Sequence, residues 1–177
     1  KHACVVRLKG GDPMLFGRAQ EEIAALQQAG IAFEVVPGIT AALAASAELG
    51  VSLTRRGVSR NVVFATPRVG EGELESDWLA SVVHTDTAVL YMASRQSSAV
   101  ALALMAAGRS GATPAVLVEN ASLSTSRRVV TTLAQLAHES VTCEGPALLL
   151  IGEVYRDLGQ SDLDVLTQDL TRRVGRS

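Results

Sequence analysis

Gly10-Gly11-Asp12-Pro13 breaks the apolar run Val5-Val6-Arg7-Leu8 just before helical sequence begins. Glycines at such a point permit φ > 0 and let a ligand lie against the backbone, and open α/β sheets place their ligands beyond the carboxyl ends of strands. Asp12 is the carboxylate of this turn and could accept hydrogen bonds from a ligand's hydroxyl or ammonium donors. The same four residues also suit a plain tight turn, with Asp12 closing an Asx-turn. A second strand, turn and helix follow: Ala32 to Val36, then Pro37-Gly38, with Thr40 able to cap the alanine-rich helix Ala41 to Leu49. A third chemical grouping is Arg55 and Arg56, with Arg60 nearby. Guanidinium forks match carboxylates bidentately, although a solvated basic linker would carry the same residues.

The elements that position these groups alternate along the whole chain, which predicts an α/β fold. After the first turn, residues 21–29 read as a helix, and residues 5–8 and 32–36 as strands. Beyond residue 60 the expected strands are 62–66, 88–93, 115–119, 128–132 and 147–155, with helices at 77–83, 97–107 and 133–139. Residues 115–119 and 128–132 are too close for a helical crossover, so they should pair antiparallel and make the sheet mixed. We place a linker at residues 53–60, between residues 1–52 as the end of a first parallel α/β domain and residues 61–157 as a second domain; 158–177 form a mixed-charge tail.

The chain has 177 residues, a net charge of -2 and 47% hydrophobic content, enough for a buried core. The charge argues against a broad nucleic-acid footprint. Apolar runs are far shorter than the ~20 residues that span a bilayer, and no signal segment opens the chain, so the expectation is a cytoplasmic protein without a membrane partner. Cys4 and Cys143, and His2, His84 and His138, fall in no ligand spacing, so no metal is expected.

Val5 to Pro13, followed by Leu15-Phe16-Gly17-Arg18 and Val35-Val36-Pro37-Gly38-Ile39-Thr40-Ala41-Ala42, resembles the tetrapyrrole methylase family. Leu53-Thr54-Arg55-Arg56-Gly57, Val118-Glu119-Asn120, Arg128-Val129-Val130 and Pro146 to Gly152 continue the resemblance over roughly residues 3–157. It implies a homodimeric enzyme that moves the methyl of S-adenosylmethionine to ring carbons of uroporphyrinogen III, giving precorrin-2 for sirohaem or cobalamin. It implies cofactor contact at Gly10, Gly11, Asp12, Leu15, Thr40, Ala41, Met92 and Ala121. It sets Arg55 and Arg56 against the substrate's carboxylates.

Departures from the family pattern gather around the same residues. Ala121 stands where the family has glycine, Arg55 where it has histidine and Met14 where an aromatic is usual; Ala19-Gln20 replaces a glycine pair and Thr66-Pro67-Arg68 replaces Thr-Gly-His. The family's opening strand and its Gly-x-Gly-Pro-Gly-Asp loop have no counterpart here, and its acid/base residues lie there, so no catalytic residue is carried over. The expectation is a fragment, or a chain needing a partner, that does not turn over alone. The rival readings are a methyltransferase of the same fold acting on a cobalamin intermediate, diphthamide or ribosomal RNA, and a non-catalytic ligand-binding module.

Overall fold

The apolar run Ala147 to Ile151 becomes the middle strand of a five-stranded mixed sheet. In the computed structural model, which describes residues 4–70, 72, 77–139 and 141–158, the strands are β1 (Val62–Ala65), β2 (Thr87–Tyr91), β3 (Pro114–Glu119), β4 (Arg127–Thr132) and β5 (Ala147–Gly152), in the order β1-β2-β5-β3-β4. β1 and β2 are parallel; β5 runs antiparallel to both β2 and β3, and β3 and β4 form the expected antiparallel pair. β1, β2 and β3 therefore point the same way, and their carboxyl ends meet the starts of β4 and β5 at one edge of the sheet.

The central strands read as unbroken apolar runs because both faces are buried. On one face Ala88, Leu90, Ala115, Leu117, Leu149 and Ile151 form a core with Val82 of α3 (Trp78–Val83), Val100, Ala101 and Leu104 of α4 (Ser97–Ala106) and Leu133 and Leu136 of α5 (Leu133–His138). On the other face Val89, Val116, Val118, Leu148 and Leu150 are also buried. Local sequence sets the helix starts. The Asp77 carboxylate accepts from Ala80 N–H at the head of α3, and Thr132 with Gln135 makes a capping box at the head of α5.

The chain divides into two compact units, residues 1–44 and 45–177. The division falls within α2 (Ala41–Leu49), ahead of residues 53–60, which form a turn closed by Val58 N–H and Ser59 N–H onto the Arg55 carbonyl at 2.9 and 2.8 Å. In the first unit α1 (Ala19–Gln28) forms as expected, with Glu21 and Glu22 in its first turn. Neither Val5–Leu8 nor Ala32–Val36 is a strand, however. Val5, Val6 and Leu8 are 80%, 79% and 83% exposed. Residue type makes a segment suitable for a sheet, but a strand exists only with a ladder partner, and among the described residues neither segment has one. The predicted tail, 158–177, lies outside the described residues beyond Leu158.

Candidate functional site

The two turns of the first unit are joined through Asp12. Its Oδ1 accepts from the Met14 N–H at 2.8 Å, which is the Asx-turn, and its Oδ2 accepts from the Gly38 N–H at 3.0 Å, 26 residues away. Backbone meets backbone at this junction: a Cβ on Gly38 would fall deep inside the Gly11 carbonyl oxygen and 3.1 Å from its carbonyl carbon. Gly11 is left-handed, at φ 73°. Around Gly10 there is open space within 4 Å of where a side chain would begin. Thr40 is buried and opens α2, its carbonyl accepting from Leu43 and Ala44 N–H at 3.0 and 3.1 Å; Ala41 is the first helical residue. Gly10, Gly11, Asp12, Thr40 and Ala41 are thus brought together by one carboxylate and one glycine-to-glycine approach. Leu15 follows in the same turn, its N–H reaching the Asp12 carbonyl at 3.4 Å.

Met92 and Ala121 lie in the second unit, at the edge where β2 and β3 end. Met92 is left-handed, at φ 56°, and 43% exposed; Asn120 and Ser122 are left-handed at φ 54° and 69°. Ala121 between them is not, so the alanine found in place of glycine is free of backbone strain. Non-glycine residues held at positive φ concentrate at ligand sites, and this edge is the one where open α/β sheets bind.

Arg55 and Arg56 lie at the opposite edge. Arg55 pairs with Ser59, whose hydroxyl is 2.8 Å from that of Thr87 at the start of β2. The five residues of β2 put about 16 Å between that start and Met92 at ~3.3 Å per residue. Arg55 is also engaged, its Nη1 standing 3.0 Å from Asp157 Oδ2. This pair borders an open recess of about 380 Å³ lined by Leu49, Val51, Ser52, Val154 and Leu158 among others. The structure therefore sets Met92 and Ala121 at one edge of the sheet, with β5 between their strands, and both arginines at the other.

Two carboxylates at the carboxyl edge escaped the sequence reading as site residues. Glu119 ends β3 and is buried, accepting from the Glu144 and Gly145 N–H groups and from Arg127. The Gly145 N–H, with Arg127 beside it, holds its carboxyl below the usual range. Glu48 accepts from the Ser122 N–H at 2.9 Å and from the Ser126 hydroxyl, and it too is held low, chiefly by the Ser122 N–H. The available signal was a glutamate closing an otherwise apolar strand, since glutamate is rarely buried without partners. Among the described residues no three His, Cys, Asp or Glu side chains are placed to hold a metal.

Residues 1–137 match the profile of the Tetrapyrrole (Corrin/Porphyrin) Methylases. This chain belongs to the tetrapyrrole methylase family. Among its methylase relatives, the siroheme synthase of Psychrobacter sp. (strain PRwf-1) is 45% identical over 154 residues, 86% of this chain and 32% of that protein. That of Chromobacterium violaceum is 44% identical over 152 residues, 85% of this chain and 32% of that protein. The chain spans about a third of the length of the curated relatives it matches. Of solved structures, uroporphyrin-III C-methyl transferase from Thermus thermophilus, complexed with S-adenosyl homocysteine, superposes with a TM-score of 0.77 at 39% identity, over 88% of this chain and 68% of that one. The native form gives 0.79 at 37% identity, over 88% and 66%.

Proposed function

We propose that this chain carries the cofactor-binding part of an S-adenosylmethionine-dependent C-methyltransferase that converts uroporphyrinogen III to precorrin-2, on the way to sirohaem and cobalamin. The observation that carries this reading is the Asp12 junction: two glycine turns locked backbone to backbone, in a tetrapyrrole methylase whose Thermus relative was solved with S-adenosyl homocysteine. The residues present suit such a ligand. Gly10 leaves the turn uncovered, Gly38 lets the two turns approach backbone to backbone, and Asp12 offers carboxylate lone pairs. We assign cofactor contact to Gly10, Gly11, Asp12, Leu15, Thr40 and Ala41 in the first unit, and to Met92 and Ala121 in the second.

When bound, S-adenosylmethionine supplies an electrophilic sulfonium methyl, which an electron-rich pyrrole carbon attacks in line. The chain's own contribution is positioning and the exclusion of water. Asp12 binds and orients through oxygens already fixed by two backbone donors, so little reorganisation accompanies binding. We assign no residue to the removal of the ring proton. Arg55 and Arg56 are offered to the substrate's carboxylates, a role that requires the Arg55–Asp157 pair to open. We read the enzyme as a cytoplasmic homodimer without a nucleic-acid or membrane partner, on the strength of the family resemblance and the modest net charge.

Calorimetry with S-adenosylhomocysteine and fluorescence titration with uroporphyrinogen III on one preparation test the proposal. Binding of both is expected. Binding of the nucleoside alone would keep the cofactor and discard the substrate, and binding of neither would overturn the reading.

A further inference from the structure

Glu119 makes more of the carboxyl edge than the cofactor contacts require. Its Oε1 accepts from both the Glu144 and the Gly145 N–H at 2.6 Å, and its Oε2 accepts from Arg127 Nε and Nη2 at 3.1 and 2.9 Å. Arg127 Nη2 also donates to the Thr142 carbonyl at 2.5 Å. One buried carboxylate thereby ties the end of β3, the start of β4 and the loop that leads into β5. The next residue, Asn120, donates its N–H to the Pro146 carbonyl at 2.9 Å, and its side chain packs on Gly145 so closely that a Cβ there would have to displace it. Beyond Ala121, Ser122 is held in turn by Glu48. Ala121 is therefore suspended between two anchored, left-handed neighbours. Such backbone persists only where its surroundings over-determine it, and Glu119 holds the Glu144–Gly145 segment next to Pro146, whose carbonyl takes the Asn120 N–H.

We propose that Glu119 is a positioning residue for the cofactor: by clipping the 142–145 loop and Arg127 together it fixes the Asn120–Ser122 backbone, and so the place of Ala121. This rests on the cofactor reading above. The chemistry explains why a carboxylate stands here. Four donors converge on two oxygens, and an amide would turn an NH2 towards either the loop N–H groups or the guanidinium.

The test uses the full chain. S-adenosylhomocysteine is titrated by calorimetry into the wild type, Glu119→Gln, Arg127→Gln and a core control, Leu104→Ala, with the melting midpoint of each recorded. The expected result is a loss of affinity of about tenfold or more for Glu119→Gln and a smaller loss for Arg127→Gln. Leu104→Ala, destabilised in the core without removing any of these hydrogen bonds, should stay within about twofold of wild type. A merely structural glutamate would lower the melting midpoint and leave affinity where the control leaves it, and that result overturns the proposal. If Glu119→Gln does not fold, Arg127→Gln decides: wild-type affinity in that variant overturns the clip. Absence of binding by the wild type would instead overturn the functional reading and this role with it, whereas wild-type binding that survives Glu119→Gln overturns the positioning role alone.

Discussion

Asp12 forms one turn and ties it to a second, and the proposed function gives the same side chain a place at the cofactor. Its two oxygens are each committed to a backbone donor, so Asp12→Ala releases the Met14 and Gly38 N–H groups together and uncouples the turns. Hydrogen bonds to a charged group contribute about 1.5 to 3 kcal/mol, so affinity for S-adenosylhomocysteine should fall roughly ten- to a hundredfold, as read by calorimetry. Unchanged affinity would leave Asp12 as a turn former only. The arginines lead to a different expectation. Arg55 and Asp157 are both more than half exposed, so their pair contributes little to stability. Replacing Arg55 and Arg56 together by glutamine should leave the fold and the cofactor affinity intact. Tetrapyrrole binding should weaken and lose part of its salt dependence, and if it does not, these residues return to the linker role. The Asp12 turn was legible because glycine, aspartate and proline together favour a tight turn. Its bond to Gly38 was not, because nothing local in a sequence names a partner 26 residues on.

At the scale of elements, the loops of the carboxyl edge are held by ionised glutamates, and this gives the fold an acid limit. Glu119 and Glu48 titrate below their ordinary value of 4.5 in the folded chain, owing first to the Gly145 and Ser122 N–H groups respectively. Because their folded values are depressed, the stability they contribute is complete above the unfolded value and is lost as pH falls through the folded one. Urea midpoints measured in steps downward from neutral pH should stay level until about pH 4.5 and then decline, with a shallower decline in Glu119→Gln. An equal decline in both proteins would place the acid sensitivity elsewhere. The central strands β2, β3 and β5 were legible from their apolar runs, since those runs are buried on both faces. The antiparallel turn from β3 to β4 followed from the short connection. The insertion of β5 between β2 and β3 did not follow from sequence, because a buried run of leucines suits any central position. Residues 5–8 and 32–36 carry the residue types of strands without the pairing, which no residue type can supply by itself.

For the whole molecule, the two units differ in how their backbones are satisfied. β3 and β5 are hydrogen-bonded on both sides within a buried sheet, whereas Val5 to Leu8 has exposed side chains and, among the described residues, no ladder. Hydrogen exchange should therefore be fast at Val5 to Leu8 and Ala32 to Val36 and slowest in β3 and β5. Slow exchange in the first set would show that those segments are covered in solution. The strand order carries one more consequence, for synthesis on the ribosome. β5 is the last of these five strands to be made and lies at the centre of the sheet, so β1 with β2, and β3 with β4, emerge as two separate ribbons with nothing between them. A two-stranded ribbon is marginal in water. At ~5–20 residues per second the nascent chain waits seconds between completing β2 and delivering the strand that joins the halves. Release of the chain before Ala147 should give a species that never closes its core and is taken up by chaperones or proteases, while a few residues more would let the whole sheet assemble at once.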